Sequence, residues 1–176
     1  MHELPLSKVY QILEPGPTVL LTTEQHGRAN VMALSWHMMV EFDPPLVACV
    51  VSNADFSFTA LKETRECVIA VPSVEIAAKV VQVGNCSGRD IDKFLTTGLR
   101  AGEASQVRAP LVMDCFANFE CKVVDTRLVA KYCLFVLEVM KAWTDPTQRN
   151  PHTIHHQGHG TFMVSGDRIK LPSKMP

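Results

Sequence analysis

Residues 30–36 read Asn-Val-Met-Ala-Leu-Ser-Trp, an apolar run with a polar residue before it and Ser-Trp after it. An apolar run at residues 18–23 precedes it across a Gln-His-Gly-Arg turn, and another at residues 46–51 follows a Pro-Pro turn. Strands separated only by Gly and Pro turns indicate an antiparallel meander. The unbroken run at residues 31–34 predicts burial on both faces, one against the core and the other against a ligand or a second subunit. A buried barrel strand without a ligand fits the same pattern.

Composition narrows the class of protein. The chain has 176 residues, of which 47% are hydrophobic, and we expect one domain over residues 1–176. The formal net charge of −1 provides no global field for nucleic acid. No apolar stretch is long enough to span a bilayer, and the N-terminus lacks the pattern of a signal peptide. We therefore expect a cytoplasmic protein without a membrane or nucleic-acid partner.

The six cysteines do not form a Cys-x-x-Cys pair. Most lie in apolar runs, where Cys usually behaves as a small buried hydrophobe. Cys86 differs because it lies in the polar turn Gly84-Asn85-Cys86-Ser87-Gly88-Arg89, beside a cation that can lower the pKa of a thiol. An inert loop thiol remains the simpler interpretation of Cys86.

A hydroxyl-rich segment, Ser-Asn-Ala-Asp-Phe-Ser-Phe-Thr at residues 52–59, leads into a stretch of helical periodicity. Asp55 or Ser57 is a candidate N-cap for that helix. A helix N-terminus with free backbone N–H groups and nearby hydroxyls is suited to a phosphate. Ordinary capping is the alternative interpretation of the same residues.

The patterns after this segment predict further elements. They are a strand at Glu66–Val71, an amphipathic helix at residues 73–83, a short helix at residues 91–95, a polar loop at residues 98–109, a hairpin of residues 110–124 and 127–143 around Asp125-Thr126, a loop at residues 144–160 and a short strand at residues 161–164. In the short helix, Lys93 either faces solvent or reaches an anion as a point charge.

Taken together, these segments resemble the flavin reductase-like family of FMN-binding split-barrel proteins, and its flavoredoxin-like branch in particular. The resemblance covers roughly residues 19–171, and the order and spacing of its motifs carry it more than any single motif. The matching segments are residues 30–36, Pro44-Pro45-Leu46, residues 52–59, Ser87-Gly88-Arg89-Asp90 with Asp92-Lys93-Phe94, and residues 160–164.

The resemblance implies a mainly β fold, a six-stranded Greek-key β-barrel with flanking helices. It also implies a homodimer with FMN in a groove near the dimer interface. The implied cofactor-binding residues are Asn30, Met32, Ala33, Leu34, Ser35 and Trp36 at the flavin ring, Ser52, Ser57 and Thr59 at the ribityl chain and phosphate, Lys93 as a second anion contact, and His159 near the flavin.

The function that this resemblance implies is an NAD(P)H-dependent, flavin reductase-like oxidoreductase with FMN as cofactor and NADH or NADPH as electron donor. Two alternatives stay open. One is a flavoredoxin-like FMN electron carrier that accepts electrons from a redox protein partner, and the other is an FMN-binding module without turnover. No Gly-x-Gly-x-x-Gly fingerprint is present, but a nicotinamide can stack directly on a bound flavin. No catalytic side chain is predicted, because the redox chemistry belongs to the flavin.

His152, His155, His156 and His159 crowd a late segment of the chain. Such a cluster can bind zinc or another transition metal. Companion Cys or carboxylate pairs at metal-binding spacing are missing, so we favour a polar loop near the mouth of the active site and predict no metal.

Overall fold

The computed structural model describes residues 16–172, and a seven-stranded antiparallel sheet dominates it. The strands are β1 (Val19–Gln25), β2 (Arg28–Leu34), β3 (His37–Glu41), β4 (Leu46–Val50), β5 (Glu66–Val71), β6 (Ala101–Gly102), β7 (Leu111–Val112), β8 (Ala117–Asp125), β9 (Leu134–Thr144), β10 (Ile154–His156) and β11 (Phe162–Val164). The helices are α1 (Phe56–Thr64), α2 (Ala77–Gly84), α3 (Lys93–Thr97) and α4 (Val129–Tyr132), with a 3₁₀ turn at Val74–Ile76 before α2.

The first hairpin, β1–β2, pairs over the whole length of both strands, from Val19 with Leu34 to Gln25 with Arg28. Its turn consists of His26 and Gly27, which both have positive φ. This backbone twist matches that of the flanking strands and favours Gly at the second position. The predicted Gly turn is confirmed.

The strand predicted at residues 30–36 ends two residues early, at Leu34. Ser35 and Trp36 leave the ladder, and β3 begins at His37 on the opposite edge of the sheet, whose order is β2-β1-β5-β8-β9-β4-β3. The three Cα steps from Leu34 to His37 span at most about 11 Å. The two edges of the sheet therefore lie side by side, and the sheet is rolled into a barrel.

The predicted meander is thus present in a bent form. The first half of the long middle strand pairs with β1, and the second half pairs with β4. When β2 and β3 are counted as one interrupted strand, the barrel has the six strands that the resemblance implied. The β8–β9 hairpin lies between β5 and β4, which gives the predicted Greek-key order.

Two hydrophobic cores explain why the strands carry unbroken apolar runs. In β1, Val19 and Leu21 point into the barrel core, while Leu20 belongs to a second core that is shared with Val80 and Val83 of α2. β2 repeats the pattern, since Leu34 faces the barrel and Val31 faces α2. Burial on both faces is therefore confirmed for these strands, and α2 covers the outside of β2.

Predictions for the second half of the chain need correction. The connection after β8 is not a tight two-residue turn, because the short helix α4 is inserted before β9. The stretch predicted as loop over residues 144–160 contains β10, which pairs with β11. Both elements are shorter than the windows that reveal periodicity in a sequence.

The polar loop predicted at residues 98–109 contains the two-residue strand β6, and the arm predicted at residues 110–124 is divided into β7 and β8. The other elements follow their predictions closely. The strand Glu66–Val71 has the predicted bounds, and α2, α3 and β11 lie within a few residues of theirs. Within residues 16–172, no helix combines the length and the apolar character that crossing a membrane requires.

Candidate functional site

A groove runs along β2 where α2 covers the outside of the barrel. Its first part, which we call the polar lobe, has a volume of about 210 Å³. The polar lobe is lined by Asn30, Met32, Ala33, Ala54, Asp55, Phe56, Ser57, Val83, Gly84, Cys86, Ser87, Gly88, Arg89 and Lys93. It joins segments that are distant in sequence, namely β2, the start of α1, the turn after α2 and the start of α3.

The second part, the apolar lobe, has a volume of about 280 Å³. The apolar lobe is lined by Thr18, Ala33, Leu34, Ser35, Val80, Val81, Gly84, Asn85, His156, Gly160 and Phe162. Ala33 and Gly84 line both lobes, so the two cavities adjoin at these residues. A Cβ on Gly84 would lie 3.6 Å from the Cβ of Ala33, so two small residues face each other where the lobes meet.

The N-terminus of α1 opens into the polar lobe. Asp55 occupies the N-cap position, as predicted, but its side chain accepts no hydrogen bond from the helix. Its carboxylate instead accepts from the backbone N–H of Ser52, at 3.1 Å. The first-turn N–H groups of α1 therefore lack a side-chain cap, and a helix start in this state is suited to an anion.

Ser57 lies in the first turn of α1 and is 1% exposed. Its hydroxyl accepts a hydrogen bond of 2.8 Å from the side-chain amide of Asn30 on β2. This buried bond ties α1 to the barrel. Gly88 presses against the same pair of elements, since a Cβ there would fall 2.1 Å from Oδ1 of Asn30.

Lys93 is the first residue of α3, and Asp92 caps that helix by accepting from the N–H of Leu95 at 3.1 Å. The Lys93 side chain is only 7% exposed and donates to the backbone carbonyl of Val83 at 2.8 Å. An ammonium group has three donors, so this bond leaves donor capacity inside the polar lobe.

The surroundings of Lys93 disfavour the charged form of its ammonium group. Burial lowers the pKa of its ammonium from the ordinary 10.5, although the nearby Cys86 and Asp55 partly oppose this shift. Burying a charge without a full set of partners is unfavourable. A bound anion would remove that cost.

Arg28 and Arg89, which sequence reasoning did not select, lie at the polar end of the groove. Both guanidinium groups approach the ring of Phe56, at 5.2 Å and 5.8 Å from its centroid. Arg89 donates to the carbonyl of Ala54 at 3.0 Å, and Arg28 donates to the carbonyl of Gly88. A cation within a Gly- and Ser-rich turn was the available signal for Arg89, because such turns often approach phosphate groups.

The structure separates the predicted cofactor-binding residues into two sets. The groove is lined by Asn30, Met32, Ala33, Leu34, Ser35, Ser57 and Lys93. Trp36, Ser52, Thr59 and His159 are solvent-exposed and line neither lobe within the described part of the chain. For all of them, a role in ligand binding stays a prediction.

One polar atom of the apolar lobe lacks a partner. Oγ1 of Thr18 is buried and has no hydrogen-bond partner among residues 16–172. Such groups are rare in folded proteins because a lost hydrogen bond is costly. The position of Thr18 in the lining of this lobe suits a ligand that carries polar atoms as well as an apolar surface.

The histidines at residues 152–159 and the thiol of Cys86 have different surroundings. His152 is bonded through Nδ1 to the carbonyl of Ser165, at 2.6 Å, whereas His156 packs against Phe162 and lines the apolar lobe. Among the described residues, no three His, Cys, Asp or Glu side chains are arranged to hold a metal ion. The thiol of Cys86 donates to the carbonyl of Gln82 at 3.1 Å, at the edge of the polar lobe.

Comparison with known proteins gives a consistent result. The flavin reductase like domain matches residues 13–162. Protein YddH of Escherichia coli is 34% identical over 180 residues, which cover 94% of this chain and 95% of YddH.

Solved structures share the fold. An FMN-binding domain of a flavin reductases-like enzyme from Shewanella baltica has a TM-score of 0.84 and 28% identity, with 96% of each chain covered. The flavoredoxin of Desulfovibrio vulgaris has a TM-score of 0.86 at 21% identity, and 99% of this chain and 98% of that chain are covered. The predicted family and the split-barrel fold are thereby confirmed. This chain belongs to the flavin reductase-like family.

Proposed function

We propose that this protein binds FMN in the groove and works as an NAD(P)H-dependent, flavin reductase-like oxidoreductase. The observation that carries the proposal is the adjacency of the two lobes along β2. One end of the groove offers an uncapped helix start and a buried cation, and the other end offers apolar walls. FMN has matching ends, a dianionic phosphate and a flat ring.

The phosphate would lie in the polar lobe. Lys93 supplies a cation there, and the first turn of α1 supplies backbone N–H groups. Charge-assisted hydrogen bonds of this kind are about twice as strong as neutral ones. The Asn30–Ser57 hydrogen bond holds the helix start in position against the barrel.

The ring would lie in the apolar lobe, between β2 and α2. Val80, Val81 and Phe162 provide apolar surface that excludes water, and Ser35 and Thr18 offer hydroxyls. Bound FMN would supply the hydride and electron transfer, as cofactors of this class do. The residues of this chain bind and orient the ring, and we assign none of them a proton-transfer role.

The choice of electron donor rests on family membership. The Shewanella relative is described as an FMN-binding domain of a flavin reductases-like enzyme. The second candidate function is an FMN electron carrier that accepts electrons from a redox protein, and the fold shared with a flavoredoxin favours it. The two candidates differ in whether a nicotinamide alone reduces the flavin.

We further propose that the protein is a homodimer through the surface around β3. Trp36, Met38, Met39, Val40 and Phe42 are large apolar side chains, and their exposure ranges from 48% for Val40 to 78% for Phe42. Contiguous apolar surface on an edge strand is a liability for a monomer and normally marks an interface. Because β3 follows β2 after Ser35 and Trp36, the second copy would lie close to the apolar lobe and cover the ring.

The test uses protein that is purified and reconstituted with FMN. A yellow colour that survives gel filtration, and that NADH or NADPH bleaches under anaerobic conditions, supports the reductase. Bleaching by dithionite but by neither nucleotide favours the electron carrier. Protein that stays colourless and takes up no added FMN would remove both candidates.

A further inference from the structure

A second cavity lies between the C-terminal half of α1 and the short helix α4. It has a volume of about 410 Å³, and we call it the α1–α4 pocket. Its lining shares no residue with the polar lobe or the apolar lobe. The α1–α4 pocket is therefore distinct from the groove.

The bottom of this pocket is apolar. Val129 of α4 is 5% exposed, and Phe58 of α1 is half-buried. The ring of Phe58 packs edge-to-face on Phe135 of the barrel core, with 5.6 Å between the ring centroids. Cys133 is also half-buried and adds to this surface, because a free Cys usually behaves as a small hydrophobe. Such a floor suits the apolar body of a ligand.

Two exposed cations, Lys62 and Arg65, line the same pocket. The ion pairs among residues 16–172 involve neither of them. The described residues of the lining include no Asp or Glu. Acidic residues close to the lining in sequence are engaged with other partners, namely Glu63 with Gln25, Glu66 with Arg108 and Asp125 with Arg127. The pocket thus combines uncompensated positive charge with an apolar floor.

The backbone of the pocket is strained at two positions. Arg65 and Cys133 have φ of 57° and 54°, although neither is a glycine. Each follows the last residue of a helix, where Gly is common because the left-handed conformation costs it little. Both positions therefore carry a side chain at a conformational cost, and costs of this kind are concentrated at binding sites.

The end of α1 influences which anion fits the pocket. The last carbonyl groups of a helix carry about half a negative elementary charge, which works against a dianion such as a phosphate. The two full charges of Lys62 and Arg65 outweigh this partial charge for a monoanion. The planar guanidinium of Arg65 also matches the geometry of a carboxylate.

We propose that the α1–α4 pocket is a second binding site, for small carboxylates with an aromatic or aliphatic body. Lys62 and Arg65 bind the carboxylate, and Phe58 and Val129 pack against the body. Thr126, which also lines the pocket, offers a hydroxyl to further polar atoms of the ligand. This site does not depend on flavin binding, since it occupies a different cavity.

The test titrates 2-naphthoate, an aromatic carboxylate, into the purified protein in the presence of FMN and measures dissociation constants by calorimetry. The neutral 2-naphthalenemethanol, which has the same ring system, is titrated in parallel. Lys62→Gln combined with Arg65→Gln removes the two cations, and Ala130→Trp fills the pocket from an exposed position of its lining. Lys122→Gln combined with Lys131→Gln is the matched control, because it removes two exposed lysines that do not line the pocket.

The wild type is expected to bind 2-naphthoate with a dissociation constant of about 100 µM, an ordinary value for a ligand of this size. Loss of the two cations should weaken 2-naphthoate about tenfold and leave 2-naphthalenemethanol unchanged, because only the charged contacts disappear. Ala130→Trp should weaken both probes about tenfold or more, since it occupies their space. The control should keep both dissociation constants.

The opposite results would overturn the proposal. Failure of the wild type to bind 2-naphthoate would refute the site, and so would wild-type affinity in either the double variant or Ala130→Trp. An equal loss of affinity in the control would show that the general positive field of this surface attracts the probe, which also refutes a specific site. Circular dichroism checks the fold, and the two kinds of variant act independently, so that one decides if the other does not fold. FMN affinity is measured separately by quenching of flavin fluorescence, so the proposed function and this site can fail independently.

Discussion

At the scale of single residues, Lys93 shows a conflict between stability and binding. The side chain is buried at a cost to the apoprotein, and the cation is placed where an anion would offset that cost. Residues that serve binding often reduce stability in this way. The sequence placed Lys93 within a short helix, but its burial follows from the packing of α3 against α2 and β2.

Lys93→Met should therefore have opposite effects on binding and stability. FMN affinity should fall about tenfold or more, because a charge-assisted hydrogen bond is worth about 1.5–3 kcal/mol. The melting temperature of the apoprotein should rise by about 2–4 °C, the shift for about 1 kcal/mol in a chain of this size. Isothermal titration and thermal unfolding measure the two effects, and Lys79→Met, which removes a partly exposed lysine bonded to Gly98, is the control. Unchanged FMN affinity would place the phosphate elsewhere.

Glu120 is a buried carboxylate with a structural role. It is 0% exposed and accepts hydrogen bonds from the indole N–H of Trp143 at 2.7 Å and from Ser105 and Gln106. Burial acts to raise the pKa of Glu120, but these hydrogen bonds outweigh it and hold the pKa below the ordinary 4.5. The carboxylate thereby anchors the loop before β7 to the sheet.

The direction of this shift fixes the expected pH dependence. A carboxyl whose pKa is lowered by folding stabilises the protein above the unfolded pKa, and this stability is lost as pH falls through the folded value. Glu120→Gln should lower the free energy of unfolding at pH 7 by about 1–3 kcal/mol. The difference from the wild type should narrow as pH falls below about 4.5, the ordinary value. Urea unfolding at several pH values measures this difference, and Glu103→Gln, on the exposed part of the same loop, is the control. A difference between Glu120→Gln and the wild type that stays constant with pH would contradict the lowered pKa of Glu120.

At the scale of elements, the groove depends on how α2 meets β2. Gly84 ends α2 opposite Ala33, and these two small residues line both lobes. Because φ of Gly84 is not positive, the backbone accepts a side chain at this position. A larger residue at position 84 would therefore take space from the two lobes.

Gly84→Leu should place a bulky side chain in the lobes that residue 84 lines and weaken FMN and riboflavin equally, since the obstruction is steric and independent of the phosphate. Gly84→Ala is the matched control, because its methyl group would make an ordinary contact of 3.6 Å with Ala33. Fluorescence titration measures both ligands, and circular dichroism checks the fold. Full flavin affinity in a folded Gly84→Leu protein would show that the ligand does not cross between the lobes.

The break between β2 and β3 illustrates how far elements can be predicted. Apolar runs and turns give the order of strands, because period and turn residues are local properties. The release of Ser35 and Trp36 from the ladder depends on the closure of the barrel, where one half of the strand pairs with β1 and the other half with β4. The short elements α4 and β10 were missed because they rest on tertiary contacts rather than on their own periodicity.

At the scale of the whole molecule, the surface around β3 carries the proposed dimer. The wild type should elute and scatter light as a particle of twice the 19.5 kDa chain mass. Met38→Glu combined with Phe42→Glu should give a monomer with weaker FMN binding, because a charge in an apolar interface is costly and the second copy covers the ring. Leu128→Glu, at an exposed apolar residue outside β3, is the control. A double variant that remains dimeric would move the interface to another surface.

The sequence by itself determined the fold class, most of the element order, the family and the segments that surround the groove. These properties follow from periodicity, turn residues and the order of motifs. Such features can be read from the sequence without knowledge of how the chain packs. The tertiary structure alone decided which side chains enter the groove. Ser57 faces β2 while Thr59 faces solvent, and Arg89 lines the site although the Gly- and Ser-rich turn that carries it did not by itself select it. The physical reason is that the phase of a helix and the direction of a turn are set by what they pack against, and those partners are distant in the chain.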